Sequence, residues 1–187
     1  MILLETERLR LRRFTPGDLD RLVAMDSDPE VMRYITYGEP TRRERYEREI
    51  LPRWLDLYDS LPLLGYWAAE TRPGGAFVGW FHLRPDRFDG GEQELGYRFR
   101  RAHWGHGYAT EGGRALVAHG FGRVGAGKIS ARTLAANAAS RRVMEKCGLA
   151  FERDFVWPED VLAGRSEDER AGVKYSITRS QWQVRRT

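Results

Sequence analysis

Apolar and charged positions alternate at the start of the chain, where Leu9 and Leu11, with Leu3 before them, are interleaved with Arg8, Arg10 and Arg12. A period of two predicts a strand with one buried face. Thr15 then offers a helix cap, with Pro16 at the first helical position, Asp18 in the first turn, and Leu19, Leu22, Val23 and Met25 as the apolar stripe. Asp28 and Pro29 open a second short helical piece ending near Tyr34. Over residues 41–57 the chain is rich in Arg and Glu, with Tyr46, Ile50, Trp54 and Leu57 at helical intervals. This predicts an exposed helix with one inward edge, bent or interrupted at Pro52.

Two strands are expected over 67–70 and 77–83, joined by a Pro-Gly-Gly turn, with a further turn over 86–91. The stretch after it alternates cleanly: Gln93, Leu95, Tyr97 and Phe99 fall on one side, and Glu92, Glu94, Gly96 and Arg98 on the other. Gly105 and Gly107 break that strand, and a helix opens near Tyr108, with Ala115, Leu116 and Ala118 as apolar positions. A strand over 128–133, a helix over 138–147 stopped by Gly148, and strands over 151–155 and 173–177 complete the chain. The polar connection over 157–172 is longer than most and is therefore expected to be functional or mobile. The order of elements implies one mixed α/β domain spanning 1–187, with helices on both faces of the sheet.

Composition narrows the partners. Forty-one per cent hydrophobic residues in 187 suit one full core, and a net charge of +4 suits an acidic ligand. The excess is spread along the chain, so nucleic acid is not expected. A single cysteine, Cys147, excludes an internal disulfide, and His82, His103, His106 and His119 lack zinc-like spacing, so no metal is expected. The first residues do not read as a signal peptide, and no apolar run approaches the roughly 20 residues of a membrane span. The expectation is a soluble cytoplasmic protein, monomeric or homodimeric.

The strand-turn-helix around Gly105 and Gly107 is the candidate for chemistry. The first amides of a helix have no partners of their own, and with the helix dipole they favour negative charge, so a diphosphate could sit there. Two rival glycine motifs fail. Thr110 stands where a dinucleotide fingerprint needs glycine, and in the Gly122–Lys128 stretch Ile129 replaces the Ser/Thr of a phosphate loop ahead of a strand.

Residues 104–111, Trp-Gly-His-Gly-Tyr-Ala-Thr-Glu, resemble the acetyl-coenzyme A loop of GNAT-type N-acetyltransferases, Gln/Arg-x-x-Gly-x-Gly/Ala, matched at Gly107 and Ala109. Trp104 takes the Gln/Arg place, a variant associated with the ribosomal-protein N-terminal (RimJ/RimL-like) branch. Residues 137–149, from Asn137 through Ser140 to Glu145, Lys146 and Gly148, resemble the second landmark of the family, and residues 5–12 and 28–34 resemble the same branch. The resemblance covers most of the chain. It implies a mostly antiparallel central sheet splayed at the cofactor site, and direct transfer of acetyl from acetyl-coenzyme A to a primary amine, of a protein N-terminus or a small molecule, with coenzyme A released.

That chemistry sets three tasks: deprotonating the amine, polarising the thioester carbonyl and protonating the departing sulfur. Many relatives protonate the sulfur with a tyrosine where this chain has Met144, which has no proton to give. Ser140 matches the serine that the RimJ/RimL-like branch offers in that role, so the resemblance makes it the candidate acid. Glu94 is the leading base and His82 a second candidate. A backbone amide near Phe99 or Arg100, on a bulged strand, is expected to polarise the carbonyl. Arg100, Arg101, Arg141 and Arg142 are candidates for the phosphates, one or two of them expected to touch the cofactor, with Trp104, Gly105, His106, Gly107, Tyr108, Ala109 and Thr110 forming the loop; Asn137 and Ser140 border the pantetheine arm. Tyr34, His82, Trp157, Glu159 and Asp160 are candidates for the acceptor side. The absence of the usual tyrosine leaves one alternative, a non-catalytic coenzyme A-binding sensor or regulatory module.

Overall fold

The structure, a computed structural model, describes residues 1–185. β1 (Ile2–Glu5) and β2 (Leu9–Arg13) form a hairpin and not the single opening strand expected. The reason is local: Thr6 Oγ1 accepts from Leu9 N at 3.0 Å and Thr6 N donates to the Leu9 carbonyl at 2.8 Å, which closes a turn. β3 (Gly65–Thr71), β4 (Phe77–Pro85) and β5 (Gln93–Phe99) follow as antiparallel neighbours. β6 (Lys128–Leu134) lies parallel to β5, with β8 (Ala171–Thr178) and then β7 (Ala150–Val156) beyond it, giving one eight-stranded sheet in the order β1-β2-β3-β4-β5-β6-β8-β7.

Helices cover both faces, as the alternation of apolar positions requires. On one face α1 (Leu19–Asp26), α2 (Pro29–Met32), α3 (Arg43–Arg45) and α4 (Leu51–Ser60) bury Leu22, Met25, Val31, Tyr46 and Trp54 against Ala68, Phe77 and Trp80. On the other, α5 (Tyr108–His119) and α6 (Ala138–Lys146) pack Leu116, Val117, Met144 and Cys147 on Phe81, Leu95, Phe99 and Ile129. Burial pushes the Cys147 thiol up to about 12, so it stays protonated and serves packing. The helix around Pro52 is interrupted as predicted, by a wide turn over Tyr46–Ile50 in which Leu51 N donates to Tyr46 O. Pro52 thereby falls in the first turn of α4, where its missing N–H leaves no gap. A last helix, α7 (Arg179–Val184), was not anticipated, although Thr178 and Gln181 spell a capping box. Among the described residues no helix is long and apolar enough to cross a membrane.

Across the sheet from the loop strand, Lys174, 1% exposed, lies 2.7 Å from Asp89, 2.9 Å from Glu92 and 3.2 Å from Glu152, while Arg132 holds Asp86 and Asp89. Asp89 and Glu152 are both held at about 2, Asp89 by the Lys174 ammonium, and Glu152 by Ser176, Lys128 and Lys174 against the cost of burial. A depressed carboxyl adds stability that is complete above its unfolded value, roughly 4, and is lost as pH falls through its folded value. Urea midpoints are therefore expected to drop steadily between about pH 4.5 and 2. In Lys174→Met that acid-dependent loss should be shallower.

β5 and β6 are paired only at Gln93↔Ile129 and Glu94↔Ser130. Beyond that step β5 stays on β4 as far as Phe99↔Gly79, and β6 stays on β8 as far as Leu134↔Gly172, so the sheet parts between them. Arg100 N donates to Val78 O at 2.9 Å, which marks the even positions of β5 as the set bonded to β4. In an antiparallel ladder the odd set points the other way, so the amides of Tyr97 and Phe99 face the opening.

Candidate active site

The upper wall of the opening is the loop that leaves β5. Trp104 donates its indole N–H to the Phe99 carbonyl at 2.9 Å, which pins the loop to the strand end in the place a Gln or Arg side chain would occupy. Gly105 (φ 78) and Gly107 (φ 81) both adopt left-handed angles, and Gly107 caps α5 with no side-chain cap. Glu111 is the first residue whose amide reaches back to a carbonyl, that of Gly107 at 3.0 Å. The amides of Tyr108, Ala109 and Thr110 precede it and are the donors that the helix start leaves open.

Glu111 would oppose an anion here, but its charge is taken up. Arg8 Nε and Nη2 each lie 2.7 Å from Glu111 Oε2, Arg8 N and Thr6 Oγ1 bond Oε1 at 2.9 and 2.6 Å, and Arg8 Nη1 donates to the His106 carbonyl at 3.0 Å. These bonds, led by that from Thr6, hold the Glu111 carboxyl below its usual value against partial burial. Thr6 and Arg8 therefore brace the loop from about a hundred residues away, and their role was not found in the sequence. The His106 ring is turned onto the loop, donating from Nδ1 to the Trp104 carbonyl at 2.9 Å and stacking on Tyr108.

The opposite wall is the start of α6. Asn137 caps it, accepting from Ser140 N at 3.1 Å, and its Nδ2 donates to Thr133 Oγ1 at 3.1 Å. Ser140 Oγ does not turn back onto its own helix; it lies 3.0 Å from the Tyr97 hydroxyl, which also reaches the Ser140 carbonyl at 3.1 Å. Burial raises the Tyr97 hydroxyl above its ordinary value, so it stays protonated. Tyr97 thus spans the opening from β5 to α6.

On the other face of β5 sit the even-numbered residues. Glu94, 6% exposed, is held by Arg84, with Arg132 3.7 Å away. Burial pushes its carboxyl up, against the Arg84 guanidinium. His82 lies over Gly96, where a Cβ would come within 2.3 Å of Cε1. Its Nε2 is 3.7 Å from Glu94 Oε2, and neither ring nitrogen has a hydrogen-bond partner among the described residues. Burial, with Arg84 and Arg98 nearby, holds the imidazole well below the ordinary histidine value, so it is neutral. Arg98 is anchored through Nη1 to the fully buried Asp26 at 2.7 and 2.6 Å.

Two expectations need correction. The β4–β5 register runs without a shift, so β5 carries no bulge towards β4, and the Arg100 amide is spent on Val78; of the two expected donors it is the Phe99 amide that faces the opening, as the Tyr97 amide does. Of the acceptor-side candidates, Tyr34 lines a cavity of about 280 Å³ with Arg33, Tyr37, Asp168 and Glu169, against the segment 134–136 that leads to Asn137. Tyr37 donates to the Glu169 carbonyl across it. Glu159 is exposed, and Asp160 lies 3.8 Å from Arg87 in the β4–β5 turn. Trp157 packs between Phe155 and Phe88 as an anchor of the connection. The acids at the cavity are therefore Asp168 and Glu169, not Glu159 and Asp160. Arg100, Arg101 and Arg142 are exposed, free to meet a mobile polyanionic chain.

The model of the acetyltransferase (GNAT) domain matches residues 8–150, from the Arg8 brace through the loop and α6. The chain belongs to the GNAT acetyltransferase family. Its reaction is accordingly acetyl-coenzyme A-dependent acetylation of an amine. An Aspergillus fumigatus relative, "FsC-acetyl coenzyme A-N(2)-transacetylase", is 33% identical over 96% of this chain and 77% of its own length. A Bacillus subtilis relative, the uncharacterized N-acetyltransferase YoaA, is 32% identical over 80% of the chain and 84% of its own length. Among solved structures, a GNAT-family acetyltransferase from Bacillus anthracis superposes with a TM-score of 0.78 at 23% identity, covering 96% of this chain and 99% of its own. RimL, a ribosomal L7/L12 alpha-N-protein acetyltransferase solved with coenzyme A, superposes with 0.75 at 13% identity over 95% and 98%. Both superpositions speak for the fold. In this GNAT acetyltransferase the open amides at 108–110, the left-handed glycine that exposes them and the parted strands together fit a donor with a diphosphate and an extended arm.

Proposed function

We propose that this GNAT enzyme, a single cytoplasmic domain of RimJ/RimL-like architecture, acetylates a small-molecule primary amine. The observation that carries the choice of acceptor is the cavity of about 280 Å³ edged by Asp168 and Glu169 and bridged by Tyr37. Its size suits a compact ligand, Asp168 at its edge suits an ammonium group while Glu169 is held by Ser166, and the bridge narrows the groove a peptide would need. The Aspergillus relative, whose name describes transfer to an N2 nitrogen, supports the same direction.

Acetyl-coenzyme A supplies the activated acetyl group. The chain's own residues hold and aim it. Amides of 105–110 face the diphosphate, Arg100, Arg101 and Arg142 offer charge to the outer phosphates, and Asn137 with Ser140 borders the arm. The Phe99 amide supplies a donor inside the opening. Ser140 gives the proton that the departing sulfur needs, its hydroxyl oriented by Tyr97. The base lies in the pair formed by Glu94 and His82 on the opposite face, where an acceptor entering below α1 and α2 would meet them.

Coenzyme A release measured against a panel of small primary amines and of peptides with free N-termini tests the acceptor. Small amines, polyamines included, are expected to turn over fastest; a peptide outpacing them all would overturn the reading. Ser140→Ala should lower kcat about 10- to 100-fold with acetyl-coenzyme A affinity unchanged by calorimetry. An unchanged kcat removes Ser140 from proton transfer.

A further inference from the structure

We infer that His82, and not Glu94, is the group that takes the proton from the acceptor amine, with Glu94 as the charge behind it. The inference rests on the reading of the opening as the acetyl-transfer site, and three features of this chain carry it. Neither Nδ1 nor Nε2 of His82 has a partner, although the residue is only 9% exposed. An unsatisfied buried polar atom costs about 1–3 kcal/mol, so the ring has hydrogen-bonding capacity that an acceptor amine can take up. Second, the ring is given its seat by Gly96: any side chain there would collide with it, since a Cβ would lie 2.3 Å from Cε1 and 2.5 Å from Nε2. Gly96 is two residues past the last β5–β6 pair, so the imidazole lies over β5 where that strand has parted from β6. Third, Glu94 is poorly free to act, being bonded to Arg84 and close to Arg132.

The groups facing the ring are Arg84 from β4 and Asp86 in the turn just after it, Glu94 and Arg98 from β5, and the Tyr66 ring from β3, with Trp80 stacked beside it. Burial, helped by the two arginines and opposed by Asp86, keeps the ring neutral, hence able to accept. Glu94, 3.7 Å from Nε2, stabilises the imidazolium once formed. In the balanced reaction the acceptor's –NH2 forms the C–N bond while the C–S bond breaks with its electron pair on sulfur. One nitrogen-bound proton goes to His82 and sulfur takes one from Ser140. The His82 proton then leaves to solvent, from which Ser140 is restored.

The test compares His82→Gln with Glu94→Gln on the best acceptor found, small amine or peptide, so that failure of the small-amine reading leaves it intact. His82→Gln is expected to lower kcat about 100-fold or more, and Glu94→Gln about 10-fold or less, with acetyl-coenzyme A affinity unchanged in both. Added imidazole should restore part of the activity of His82→Ala. A merely structural histidine would not be rescued, and its replacement by Leu would lower Tm; here Tm is expected to hold or rise. Nitrogen-15 NMR of the wild-type protein covers the case in which a variant does not fold: a neutral His82 ring at pH 7 is expected. A larger kcat loss in Glu94→Gln than in His82→Gln, or a protonated His82 ring at pH 7, overturns the inference.

Discussion

Gly107→Glu is expected to weaken acetyl-coenzyme A binding by at least about 100-fold, or about 2.8 kcal/mol, while Tm falls by only a few degrees, roughly 2–4 °C per kcal/mol of strain. Gly107 holds φ 81, where a side chain strains the backbone by about 1–2 kcal/mol. Its Cβ would lie 3.4 Å from Arg8 Nη2, so a carboxylate there would draw Arg8 from Glu111 and leave negative charge at the turn. That charge would stand at the positive end of α5, in front of the amides of 108–110. Gly107→Ala, with strain but no charge, should lose only about 3- to 10-fold by the same conversion. Isothermal calorimetry reads both. Affinity within threefold of wild type in Gly107→Glu would place the diphosphate elsewhere.

Asp26→Ala is expected to cost about 3–5 kcal/mol of folding stability, among the largest single effects in the chain. Asp26 is fully buried, accepts from Arg98 Nη1 at 2.7 and 2.6 Å, and accepts the Tyr46 hydroxyl at 2.8 Å. Removing it strands the Arg98 guanidinium, whose side chain is 14% exposed, against Trp80. The double variant Asp26→Leu, Arg98→Met should recover most of the loss, because an apolar pair of similar volume replaces two desolvated charges. Urea denaturation measures all three proteins. A loss under about 1 kcal/mol in Asp26→Ala would mean that this pair does not hold α1 to β5.

Features whose causes lie within a few residues could be read from the chain. The strand over 93–99 followed from strict alternation, the start of α5 at Tyr108 from two glycines followed by good helix formers, and the interruption before Pro52 from its missing amide. The reach of Ser140 could be placed on the right helix, since Asn137 caps that helix one turn before it. Its partner could not, because Tyr97 is 43 positions away and only the folded sheet brings the two hydroxyls to 3.0 Å. The same holds for Arg8 and Glu111, 103 positions apart, and for Asp26 and Arg98, 72 apart. The turn that makes β1 and β2 a hairpin was local yet missed, because Leu3, Leu9 and Leu11 all fall on odd positions and read as one strand face although Glu5-Thr6-Glu7-Arg8 separates them.

Local sequence determined the period of each main strand and helix, the left-handed turn that bares the amides of α5 and the landmarks of an acetyltransferase, since backbone preference and capping act over one or two turns. Tertiary structure alone decided where the sheet parts, which acids reach the cavity and which titratable groups keep or lose their partners. Those outcomes depend on how β5, β6 and the helices pack across distances no local pattern encodes. His82 is only the second candidate base in the sequence, and moves ahead of Glu94 when burial removes its solvent and the fold supplies no hydrogen bond in exchange.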